Sequence, residues 1–205
     1  MSDNNGILVV AMPQRAMLPP AVFELLSAGR GLAGALNAPL AAALIGGNSE
    51  QAQELVERGA GAVYVFDHPS LANFNDELYC RAVAELVESK KFSRILLPSS
   101  IAGKSLAARL SVKLQAALVS EVSEIDAAAG KAKRSFFSGN LIAEVELKAP
   151  VQIMTVAPMF FPRAEKQAGR TGEVSVVAFN PQAQSVKTEF VSFQPEESNE
   201  VDLGS

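Results

Sequence analysis

Chemistry-bearing side chains are scarce in this chain. It has one cysteine, Cys80, and one histidine, His68. A lone thiol excludes an internal disulfide framework and any multi-cysteine metal site. A serine triad would have to depend on His68, which sits in the turn-like run Asp67-His68-Pro69-Ser70 with no G-x-S-x-G elbow elsewhere, so His68 reads as a surface turn residue. Basic charge is lacking too. The net charge of −4 leaves no cationic footprint for phosphates, which argues against a nucleic-acid partner. No apolar run reaches membrane-spanning length, so no membrane insertion is expected, and the opening MSDNNG lacks the basic-then-apolar order of a signal peptide. The expected location is cytoplasmic. Internal repeats and low-complexity tracts are absent.

What is present is a core. Hydrophobic residues make up 48% of 205 and charged ones 20%, the balance of a folded globular protein. Gly6 to Met12 is a near-continuous apolar run ended by Pro13, suiting a buried strand. Pro19-Pro20 opens a helix with Val22, Leu25, Leu26, Gly29, Leu32 and Leu36 on one face. Pro39 to Ile45 is a second strand, and Ser49 starts a short helix closing at Gly59. Ala62 to Phe66 is a third strand. Asp76 is expected to cap a longer helix bearing Leu78, Tyr79, Ala82, Val83, Leu86 and Val87.

Lys91 to Asp126 is the stretch around which the rest is organised. Phe92 to Pro98 reads as a buried strand, Ser99 and Ser100 offer capping hydroxyls, and Ile101, Leu106, Leu110 and Leu114 recur at near-helical spacing. Ala117 to Ile125 then alternates like a half-buried strand. The loop after the first of these strands is where an open α/β sheet presents a ligand site.

Beyond Ala117 the rhythm turns to strands. Lys131 to Phe137 and Leu141 to Lys148 flank Ser138-Gly139-Asn140 as a hairpin with one solvated face. Val151 to Val156, Val174 to Phe179 and Lys187 to Phe193 read as further strands. The fold expected is α/β: a Rossmann-like open, mostly parallel sheet with flanking helices and a C-terminal antiparallel β extension. Residues 1–193 form one domain on this reading. Gln194 to Ser205, with four carboxylates and little to bury, is a flexible acidic tail or the start of a linker.

Three motifs compete with blander readings. Gly29-Arg30-Gly31-Leu32-Ala33-Gly34 satisfies G-x-G-x-x-G, but those glycines fall late in a helix rather than in a strand-to-helix turn, so they read as packing glycines. Gly103-Lys104-Ser105 ends like a P-loop, yet the position of its first glycine is Pro98, which has no N–H to offer a phosphate. Weak anion binding at that helix start, with Ser99, Ser100, Gly103 and Lys104 as candidates, stays open. Glu121, Glu124 and Asp126 are acidic neighbours, but strand alternation turns Glu121 away from Glu124 and disfavours a metal or paired-carboxylate site. Cys80, on a helix, reads as a buried inert thiol. Arg109 reads equally as a site residue or a surface ion-pair partner.

Two segments carry a family resemblance. Pro98-Ser99-Ser100-Ile101-Ala102-Gly103-Lys104-Ser105-Leu106-Ala107-Ala108-Arg109-Leu110 is similar to the loop G-A-T-S-x-G-R-D-L-A-P-R-x-A-A-x-L of the electron transfer flavoprotein alpha (large) subunit, keeping Gly103, Leu106, Ala107 and Arg109. Arg134-Ser135-Phe136-Phe137-Ser138-Gly139-Asn140-Leu141-Ile142-Ala143 resembles its R-x-A-Y-G-G-N-A-x-A. The likeness covers roughly residues 7–192. It implies the N-terminal domain of a heterodimeric FAD-containing electron carrier that takes electrons from flavin dehydrogenases, with no side-chain acid or base.

The family's FAD sits mostly in a C-terminal domain marked by R-S-G-Q-T-G and G-I-S-G-A-I-Q-H. Neither motif is found, the nearest echo being Arg170-Thr171-Gly172, and Ala157-Pro158 stands where many members carry Arg-Pro. The resemblance therefore implies a scaffold that packs on the beta (small) subunit, binds no FAD tightly by itself and is not an enzyme. Met159, Phe160 and Phe161 are candidate interface or ordinary core residues. The alternative function is an adenine-nucleotide-binding regulatory domain using the Ser99 to Ser105 loop.

Overall fold

The computed structural model describes residues 6–14, 17–137, 139–183 and 186–192. Thirteen regular elements build it. Strand β1 (Ile7–Ala11) is fully buried, followed by helix α1 (Pro20–Leu36), β2 (Leu40–Ile45), α2 (Ser49–Glu57), β3 (Ala62–Phe66) and α3 (Asp76–Lys90). Then come β4 (Arg94–Pro98), α4 (Ile101–Lys113), β5 (Ala117–Asp126), β6 (Lys131–Phe136), β7 (Leu141–Glu146), β8 (Gln152–Val156) and β9 (Glu173–Val176).

All nine strands share one open sheet in the order β7-β6-β5-β8-β4-β1-β2-β3-β9. Only the β5–β6 and β6–β7 pairs are antiparallel. The expected α/β sheet is what forms, and its antiparallel extension is the β6–β7 hairpin. The strands after the hairpin are parallel, with β8 inserted between β5 and β4, and β9 crossing to the far edge beside β3.

The helices divide between the two faces. Val9, Leu25, Leu26, Leu44, Leu55 and Val63 build a core under α1 and α2, while Leu8, Ile45, Phe66, Val83, Leu106 and Leu110 build another under α3 and α4. Every residue of β1 and β2 is buried, which explains their unbroken apolar sequence. At ~25 cal/mol per Å² of apolar surface, each buried Leu or Ile contributes roughly 2 kcal/mol.

Capping chemistry sets the helix starts. Asn48 and Gln51 form a reciprocal capping box on α2. The cap of α3 is Asn75, whose side chain accepts from the N–H groups of Glu77 and Leu78, and not Asp76 as the sequence suggested. Asp76 is the first helical residue and is free to pair with Arg109 on α4.

Three further expectations are corrected. Strand β9 ends at Val176, short of Phe179, whose ring instead packs edge-on to Phe66. Residues 187–192 form no strand, and Phe193 with the acidic tail lies outside the described residues. Strand β5 does not alternate throughout, because its register with β8 shifts between Val119 and Val122 and Glu121 takes a left-handed φ of 59°.

From β8 to β9 the chain runs over α1 and α2. The Ala164 N–H donates to the Phe23 carbonyl, Arg58 donates to the Ala164 carbonyl at 2.7 Å, and Lys166 pairs with Glu57. Strand β9 then lands on β3.

Candidate functional site

Sheet order reverses at β1. The chain builds β2 and β3 to one side and then returns to place β4 on the other, so the carboxyl ends of β1 and β4 form the switch point of the sheet. The loop leaving β4 is Ser99-Ser100, the segment singled out from sequence.

Each candidate in that loop has a partner within the fold. The Ser99 N–H donates to the Val156 carbonyl, and its hydroxyl lies 2.7 Å from the Thr155 hydroxyl. Ser100 is the N-cap of α4, its Oγ accepting from the Gly103 N–H at 3.1 Å while its carbonyl accepts from the Lys104 N–H. Gly103 faces the Pro98 carbonyl so closely that a Cβ would sit 1.9 Å from that oxygen. Lys104 Nζ donates to Glu121 Oε1 at 2.8 Å.

Two residues complete the cluster that sequence reading had not assigned to it. Thr155 is fully buried on β8 and accepts from the Glu121 N–H at 3.0 Å while contacting Ser99. The only sequence signal was one hydroxyl in the apolar run Gln152-Ile153-Met154-Thr155-Val156. Glu121 is brought in by the irregularity of β5, which alternation could not foresee. Its carboxyl is held below the usual range first by the Lys104 hydrogen bond, then by the Lys104 charge, with burial opposing and Arg134 adding a weaker pull.

The remaining candidates resolve separately. Arg109 bonds Asp76 and approaches Glu77, the surface ion-pair reading. Glu124 pairs with Lys133 rather than converging with Glu121, and no cluster of metal-ligating residues occurs among the described residues. His68 caps a short 3-10 turn by accepting from the Ser70 N–H. Cys80 is half-buried against the core, and burial pushes its thiol up, away from a reactive thiolate. In the glycine motif, Gly29 is the close-packing position, where a Cβ would lie 2.8 Å from Leu40 Cδ1, whereas Gly31 and Gly34 have open space.

Beside the same sheet edge, Met159 and Phe160 point outward at 88% and 57% exposure, while Phe161 packs on the core. Met159 adopts φ 66°, and its N–H donates at 2.7 Å to Glu24, a carboxylate buried on α1. A buried acceptor thus fixes a backbone that presents two apolar side chains.

As a flavin site, the Ser99 to Lys104 loop does not fit. Its Gly103 N–H is spent on the Ser100 Oγ, its Ser99 hydroxyl bonds Thr155 and its lysine faces a carboxylate, so the loop offers an incoming phosphate no glycine cradle and no unpaired cation.

Residues 7–182 match the electron transfer flavoprotein domain. The chain is 31% identical to the electron transfer flavoprotein subunit alpha of Thermoanaerobacterium thermosaccharolyticum, covering 99% of this chain and 63% of that protein. It is 29% identical to the protein FixB of Azorhizobium caulinodans, covering 89% and 52%. It is 30% identical to the LctC subunit of an NAD(+),ferredoxin lactate dehydrogenase of Acetobacterium woodii, covering 84% and 42%. The chain thus spans less than two thirds of these relatives' lengths. With the family match running from the first strand past the last, on a sheet of the expected α/β kind, this chain belongs to the electron transfer flavoprotein family.

Proposed function

We propose that residues 1–193 are the N-terminal α/β module of an electron transfer flavoprotein alpha subunit, acting as scaffold in a heterodimeric, FAD-containing electron carrier supplied by flavin dehydrogenases. The family match over residues 7–182 carries this reading. Its chemistry is support rather than catalysis. The flavin, held elsewhere in the assembly, supplies the redox step, and this module's side chains perform no acid or base work.

The inward-turned loop favours a scaffold. Ser99, Ser100, Gly103 and Lys104 join β4, β8, β5 and α4 into one rigid corner, and Met159 with Phe160 beside it are suited to a protein surface such as the beta (small) subunit. No helix among the described residues is long and apolar enough to cross a membrane, and the cytoplasm is the compartment proposed.

Two measurements test the reading. Purified chain mixed with FAD and desalted is expected to be colourless, and a retained yellow flavin would overturn the scaffold role. Sedimentation with a small subunit is expected to show a heterodimer, and two independent species would count equally against it. The competing adenine-nucleotide reading predicts calorimetric heat with AMP or ATP. Heat abolished by Lys104→Gln would support that reading, and silence with both, or heat that survives the substitution, would remove it.

A further inference from the structure

At the opposite, amino edge of the sheet a cleft of about 680 Å³ opens beneath β1, β2 and β3. Its size lies in the range of small-molecule sites, roughly 300 to 1,000 Å³. The wall is apolar, with Ala33, Leu40 and Phe92 among its residues, and the charge is of one sign: Arg30, Lys90 and Arg170 line it, and no described carboxylate does.

These cations have no described carboxylate partner. Ten ion pairs are formed among the described residues, and none includes Arg30, Lys90 or Arg170. Lys90 Nζ lies 5.3 Å from the Tyr64 ring centroid, and Arg170 is steadied by bonds to the Gly59 carbonyl and Gln167, both at 3.3 Å. A chain of net charge −4 thus gathers three unpaired cations around one hollow. The carbonyl ends of α1 and α3 face the same edge and oppose an anion, so these side chains must do any binding.

We infer that this cleft binds a small phosphate-bearing molecule, its phosphate oxygens held by the Arg30 and Arg170 forks and the Lys90 ammonium, its body against the apolar wall. Two guanidinium forks match phosphate oxygens better than they match a solvated surface, and the volume leaves room for more than a phosphate. The site is separate from the Ser99 loop and does not depend on the scaffold role.

Glycine amides give the test its address. Gly34, Gly59 and Gly61 line the cleft, whereas Gly103 marks the other edge. The full chain, labelled with ¹⁵N, is titrated at fixed ionic strength with inorganic pyrophosphate and, in parallel, with citrate. Saturable shifts of Gly34, Gly59 and Gly61 by pyrophosphate, with Gly103 unmoved, are expected. Arg30→Gln and Lys90→Gln, both exposed positions, are each expected to weaken binding about tenfold with an unchanged thermal midpoint. Unsaturable drift, shifts at Gly103 instead, citrate binding as tightly as pyrophosphate, or indifference to both substitutions would each overturn the inference.

Discussion

The Lys104 ammonium and the Glu121 carboxylate meet at 2.8 Å, joining the first turn of α4 to the irregular middle of β5. Both side chains remain more than two fifths exposed. The contact accordingly locates a corner more than it stabilises one, and its worth is below ~1 kcal/mol.

That pair has a pH signature. With the folded carboxyl held below its ordinary value of 4.5, the unfolded chain binds the proton first as pH falls. The stabilisation is present above pH 4.5 and is lost as pH drops through the lowered folded value. Lys104→Gln should move the Glu121 titration midpoint upward by NMR and flatten the acid limb of urea stability. An unmoved midpoint would show that the pair does not persist in solution.

Gly103→Ala should cost about 3 kcal/mol or more, because its Cβ would meet the backbone oxygen of Pro98 at 1.9 Å and α4 must shift. Gly31→Ala, with open space around it on α1, is the contrast and should stabilise by up to ~1 kcal/mol. Chemical denaturation of the two variants reads the difference, and equal effects would refute the close approach.

Thr155→Val keeps the shape but removes the oxygen shared by Ser99 and the Glu121 N–H. A loss of about 1 to 3 kcal/mol is expected for orphaning partners at a fully buried position. Amide exchange at Glu121 should accelerate with it. Exchange at the parent's rate would mean the bond is dispensable.

Met159→Asp together with Phe160→Asp should leave the thermal midpoint within a few degrees, as both side chains face solvent. Association with the small subunit should weaken at least about tenfold if this is the docking surface. Unchanged sedimentation of the mixture would move the interface elsewhere.

The sequence was most legible where one physical force acts alone. Ile7–Ala11 and Leu40–Ile45 are strands because both faces are buried, and the apolar run says so. Ser100 was legible as a cap for the same local reason. Position across the sheet was not. Nothing in Val174–Val176 announces that this short segment pairs with β3 rather than with β8, since the choice depends on the path over α1 and α2. The place of Glu121 beside Lys104 and Thr155 was not legible because alternation assumes a regular ladder, and the ladder slips there. The basic cleft assembles Arg30, Lys90 and Arg170 from distant parts of the chain, with no local spacing to betray it.

The late arrival of β9 also sets an order of events during synthesis. Strand β3 is finished at Phe66, yet the partner on its outer side is not complete until Val176 has been made. For some hundred residues of translation, β3 offers a ladder of unpaired backbone groups. A chain ended after β8 would carry most of its core and one unpaired border, and β9 is the strand that covers that border.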